Sequence, residues 1–152
     1  MAIDATTLQS LLTNIMTIMT NSSLDKSFFE AVLKRLDSFG YTFNETNDGW
    51  VLCFAAQKVE NKIKSECNIL TVPTELFNVA VDMTCGEFLF SLQQSGKLDT
   101  TFNADAVLKQ VKVGDATVEL GGNGSTQSLD MLINFLINSG AGDLLCYRRI
   151  KW

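Results

Sequence analysis

The side chains best equipped for chemistry in this chain are four cysteines, Cys53, Cys67, Cys85 and Cys146, and they stand singly with no Cys-x-x-Cys pair. The chain has no histidine, so neither a mixed Cys/His zinc site nor a Ser-His or Cys-His dyad can be assembled from it. Three of the four cysteines fall in apolar, periodic stretches, where a free cysteine behaves as a small buried hydrophobe, and reduced thiols are expected. Two carboxylates, Asp82 and Glu87, interrupt an apolar run. They read as buried hydrogen-bonding or interface groups rather than as an acid–base pair. Gly121-Gly122-Asn123-Gly124 leads into Ser125, but a phosphate-cradling loop needs a lysine that does not follow here, so these glycines read as a flexible linker. No catalytic residue, metal or cofactor is expected.

The remaining candidate chemistry is at the C-terminus, where Arg148, Arg149 and Lys151 lie within the last five positions of a chain whose net charge is −5. Three cations are a small footprint for nucleic acid, and an anionic partner protein fits them equally well. The overall acidity removes any global reason for the chain to seek phosphate backbones or anionic lipid. With 152 residues, 46% apolar and one proline, the chain fits one ordered domain with a single core. The first apolar segment lacks a preceding basic residue and is broken by Gln9, Ser10, Thr13 and Asn14, unlike a signal peptide. No uncharged apolar run reaches the roughly 18 to 20 residues of a membrane span. A soluble cytoplasmic protein is expected.

Helices must position these groups. Leu8, Leu11, Leu12, Ile15, Met16 and Met19 recur at helical spacing behind Asp4 and Thr6, which predicts an amphipathic helix over about 5–20. A second, over about 25–39, carries Phe28, Phe29, Val32, Leu33 and Leu36 and stops at Gly40. A third starts near the capping candidates Asn47 and Asp48 and runs to about Cys67, with Lys58, Glu60, Lys62, Lys64 and Glu66 as a solvated face. A fourth opens around Pro73 and reaches about Gln94; it is apolar on more than one face, Phe90 included, as a central core helix would be. Gly86 in its middle costs about 1 kcal/mol relative to alanine, which a close helix crossing would offset. Val107 to Leu120 alternates, with β-branched residues on both sides of Gly114-Asp115, and predicts a β-hairpin containing Val111, Val113, Gly114, Asp115 and Val118. A further helix follows Ser125, Gly140 and Gly142 end it, and Leu144 to Trp152 reads as an extended tail. The expected fold is mainly α: a bundle of four to five helices over residues 1–143 with an inserted hairpin near 107–120, then a C-terminal tail over 144–152.

In order and in wording these parts resemble the head-to-tail connector family of long-tailed double-stranded DNA bacteriophages. The likeness rests on Asp82-Met83-Thr84-Cys85-Gly86-Glu87-Phe88-Leu89-Phe90, on Val111-Lys112-Val113-Gly114-Asp115-Ala116-Thr117-Val118, and above all on the closing Tyr147-Arg148-Arg149-Ile150-Lys151-Trp152. It covers about residues 45–152 well and the first helices only in general character. The resemblance implies a structural virion protein at the neck, assembled in the host cytoplasm as a homo-oligomeric ring, commonly a dodecamer. Such a ring docks under the portal protein through the C-terminal segment, meets a tail-side neck or tail-completion protein below, and lets genomic DNA pass without specific binding.

The tail's own pattern is compatible with that role. In an extended conformation Cys146, Arg148, Ile150 and Trp152 share one side and Tyr147, Arg149 and Lys151 the other, as a segment adding to a partner's sheet edge requires. The opposite reading, a tail folded back as the chain's own edge strand, uses the same residues. An acidic wall would keep DNA sliding, and Asp99, Asp105, Asp115 and Glu119 are the candidates to line it. Competing readings are a tail-side neck or tail-completion protein, a helix-turn-helix-like DNA-binding domain, which lacks a basic recognition helix, and an enzyme, for which no dyad exists.

Overall fold

Each of the first three helices is opened by a side chain that accepts a hydrogen bond from the first turn. In the computed structural model, which describes residues 3–98, 102–111 and 125–150, α1 (Ala5–Ile18) is capped by Asp4, whose carboxylate accepts from Thr7 N–H. Likewise Asp25 caps α2 (Lys26–Ser38) through Phe28 N–H. Such caps satisfy donors that the helix itself leaves orphaned. The end of α2 is equally legible: Tyr41 N–H bonds to Leu36 C=O and Gly40 N–H to Asp37 C=O, a Schellman closure in which Gly40 takes the left-handed position at φ +80°.

The third helix, α3 (Glu45–Cys67), starts earlier than Asn47-Asp48 suggests. Asn44 is the cap, accepting from Thr46 and Asn47 N–H. Asp48 lies inside the helix and reaches back to Asn44 N–H at 2.8 Å while accepting Tyr41 Oη–H at 2.7 Å, so its carboxylate ties the α2–α3 connection to the first turn. Pro73 likewise stands outside the helix: it precedes a short 3-10 turn, Thr74–Leu76, which leads into α4 (Phe77–Gln94).

Helix α4 is the hub, packed against α2, α3 and α6 (Ser125–Asn138). Its buried residues run almost without a break from Ala80 to Leu89, as expected for a helix covered on several sides. Phe90 is the exception, exposed instead of in the core. Gly86 makes the crossing with α6 possible: a Cβ there would lie 2.8 Å from Ile137 Cγ1 and 3.2 Å from Ile137 N. Helix α1 completes the bundle against α2 and α3.

The expected hairpin is not supported. Residues 107–111 belong to α5 (Ala104–Val111), and Val111, assigned to the hairpin from its sequence, is that helix's last residue. Ala104 and Val107 are both buried, one helical turn apart, and α5 packs on α6. Asn103 accepts Ala106 N–H at the helix start. Burial of this three-residue period outweighs the β-branched composition, because β-propensity is largely a property of packing context. Val113, Gly114, Asp115 and Val118, like the glycine run 121–124, lie outside the described residues, and among the described residues there is no strand.

The expected tail is partly helical too. Gly140 lies in the turn that ends α6, as expected, and also opens α7 (Ala141–Cys146), whereas Gly142, expected to help end α6, lies within α7. Gly140 is required because its Cα passes against the Val79 side chain of α4. Leu144 of α7 is buried, which anchors the segment to the bundle. Among the described residues, no helix is long and apolar enough to cross a membrane.

Candidate partner-docking site

The C-terminal end of α3 is where the chain's candidate docking residues gather. The helix terminates at Asn68, which adopts the left-handed conformation at φ 52° and gives its N–H to Lys64 C=O. Asparagine is one of the few residues other than glycine that tolerates this conformation. A glycine would cap the helix equally well, but the asparagine side chain does something more: its Nδ2 donates to Arg149 C=O at 2.7 Å. Arg149 N–H in turn donates to Cys67 C=O at 2.7 Å, one of the carbonyls a helix end leaves without an internal partner. Both main-chain groups of Arg149 are thus bound to the last residue of α3 and to its cap. The buried Cys67 thiol adds a third tie, donating to Leu144 C=O at 3.3 Å.

This clamp fixes the backbone and leaves side chains outward. Arg148, Arg149 and Ile150 are exposed, and Tyr147 is half-buried against the core. Burial first, and then the Glu75 carboxylate, raise the Tyr147 phenol above its ordinary value. Leu70, Leu145 and Ile150, respectively 90%, 67% and 76% exposed, flank the clamp two or fewer residues from Asn68, Leu144 and Arg149. Neither arginine is ion-paired among the described residues. Lys151 and Trp152 lie outside the described residues. The tail therefore folds back, as one reading of its sequence required, but onto a helix end rather than as an edge strand. Helical geometry through Cys146 removes that residue from the alternation expected of Cys146, Arg148, Ile150 and Trp152.

The charged groups elsewhere are structural. Asp82 accepts from Arg35 Nε at 3.0 Å, and the Arg35 guanidinium also sits 4.8 Å from the Phe39 ring centre. Glu87 is paired with Lys58 at 2.7 Å. Glu60, expected on a solvated face, is instead 4% exposed. It accepts from Ser22 Oγ, Ser23 Oγ, Ser23 N–H and Lys64 Nζ, and so fastens the α1–α2 turn to α3. Burial alone would raise its carboxyl; the hydrogen bonds from Lys64, Ser22 and Ser23 outweigh that and hold it down to about 2. Asp105 accepts from Ser128 Oγ across the α5–α6 contact, so its carboxylate is engaged within the bundle; Asp99, Asp115 and Glu119 lie outside the described residues. No three His, Cys, Asp or Glu side chains converge as metal ligands among the described residues.

The residues that sequence reasoning missed are Asn68, Leu70 and Leu145. Asn68 carries a readable signal, an asparagine directly after the last apolar residue of a helical stripe. Leu70 and Leu145 carry none, because a leucine's exposure depends on neighbours remote in sequence. No family model matches the chain, and neither a curated protein nor a solved structure matches it.

Proposed function

We propose that this chain is a structural subunit of a bacteriophage neck, a ring-forming head-to-tail adaptor that docks on the portal protein and extends the DNA channel toward the tail. The observation that carries this reading is the outward presentation of Arg148, Arg149 and Ile150 on a main-chain clamp at the end of α3. They belong to the segment Tyr147–Trp152, whose wording resembles the connector family most specifically. Exposed arginines with no ion pair among the described residues, set beside large apolar side chains, have the composition of protein-binding hot spots. The acidic balance of the whole chain suits a wall along which DNA slides.

The test is co-sedimentation with the cognate portal ring, comparing the full chain with one ending at Tyr147, so that the buried Leu144 of α7 is retained. Binding by the full chain alone supports both the adaptor role and the docking segment. Binding by both moves the contact into the helical body. Failure of both, with binding to the tail-side partner instead, replaces the portal reading with a tail-side neck role.

A further inference from the structure

The most exposed aliphatic side chain of the described residues, Leu70, belongs to the α3–α4 connection and not to the C-terminal segment. It stands two residues beyond Asn68, whose side chain holds Arg149. Leu145 precedes the turn in which Arg148 N–H bonds to Leu145 C=O, and Ile150 directly follows the clamped Arg149. Three exposed aliphatic side chains and two exposed arginines are therefore brought to one corner by bonds that involve only Cys67, Asn68, Leu144 and Arg149.

Resting on the portal-adaptor reading, we infer that the docking surface is a preformed composite corner, in which Leu70 of the α3–α4 connection acts together with Leu145, Arg148, Arg149 and Ile150. The partner chemistry is an acidic protein segment that carries at least one apolar side chain. Charge selects its sign, since Arg148 and Arg149 have no carboxylate partner of their own among the described residues. The aliphatic rim selects its apolar character, because exposed leucine and isoleucine gain free energy only when a partner removes them from water.

The composite differs physically from a tail that adds to a sheet edge as a free strand. Strand addition uses main-chain N–H and C=O groups, and those of Arg149 are already bound to Cys67 and Asn68. A free strand must break both bonds before it docks, whereas the composite corner docks with them intact. Holding the segment in one conformation also lowers the ordering cost of association.

Asn68→Gly separates the two. Glycine keeps the left-handed cap of α3 and removes only the donor to Arg149. Leu70→Ser, at a residue that is 90% exposed, removes rim area without touching the core. Binding of the cognate portal ring is measured for the unaltered chain, for each variant and for a Leu70→Ser/Leu145→Ser double variant, with thermal melts confirming the fold. The composite corner predicts weaker binding for all three variants, with the double variant down about tenfold or more. Tighter binding by Asn68→Gly, with Leu70→Ser unchanged, overturns it in favour of a free strand. Unchanged binding by every variant overturns it as well. If the unaltered chain itself fails to bind the portal, the adaptor reading falls first, and the corner falls as its docking surface. Concentration-dependent self-association abolished by Leu70→Ser would identify a second copy as the occupant and overturn the choice of partner.

Discussion

Gly86 of α4 and Ile137 of α6 approach so closely that a methyl group on the glycine would lie 2.8 Å from the isoleucine Cγ1. In an isolated helix, Gly86→Ala would stabilise by about 1 kcal/mol through helix propensity. Here the added carbon meets a β-branched side chain and, at 3.2 Å, the Ile137 backbone nitrogen, neither of which yields readily. Overpacking of this kind costs about 1–3 kcal/mol, so Gly86→Ala is expected to be net destabilising. Urea denaturation reads it directly, and a midpoint at or above that of the unaltered protein would rule out a tight crossing.

Glu60 is expected to contribute to the acid limb of the stability curve. Its carboxyl is held at about 2 against an ordinary 4.5, so the folded state binds its proton less readily than the unfolded chain does. The stabilisation is full above about pH 4.5 and fades as pH falls toward 2, amounting to on the order of 2 kcal/mol. Glu60→Gln should be less stable at pH 7 and should show a flatter decline over that window. Parallel acid limbs in the two proteins would show that another carboxylate carries the effect.

Asp48 joins Tyr41 and Asn44 below the entry to α3. Asp48→Ala removes the acceptor of the Asn44 N–H and of the Tyr41 hydroxyl, at a cost of about 1–3 kcal/mol. Asp48→Asn retains an acceptor oxygen and should recover part of that loss. Thermal unfolding of the pair gives the comparison; equal stability of Asp48→Ala and the unaltered chain would remove the carboxylate from the account of the α2–α3 connection.

The four thiols should divide sharply by reactivity. Cys146 is exposed, whereas Cys53, Cys67 and Cys85 are buried. Burial pushes the Cys53 thiol up to about 11 and raises Cys67 and Cys85 as well. A thiol reagent at neutral pH should therefore modify one cysteine quickly and three only on unfolding, since the thiolate is the reacting species. Peptide mapping after brief labelling identifies it; fast labelling of Cys85 would contradict the packing of α4.

Much of the bundle was legible because its signals are local. Asp4 caps the helix its position suggests, Gly40 ends α2 in the conformation only glycine takes readily, and Gly86 marks a crossing through its own unfavourable propensity. The misreadings share a different cause. Glu60 alternates with lysines like any solvated residue, and its partners Ser22 and Ser23 are distant in sequence. Val107 and Val111 have strand-like composition, but α5 packs on α6 and buries Ala104 and Val107, one helical turn apart. The C-terminal arginines were readable as exposed cations; the clamp that orients them was not, because it depends on α3 ending beside the tail.

The position of α4 has a consequence for the order in which the protein acquires its structure. Two of its neighbours, α2 and α3, precede it in the chain together with α1, which packs on both, so a nascent polypeptide can assemble that much of the core as it leaves the ribosome, where N-terminal parts fold first. The side of α4 centred on Gly86 has no such early partner. Until Leu136 and Ile137 emerge, that groove is bare to solvent and to other chains, and synthesis that stalls before α6 leaves a product with this apolar face uncovered.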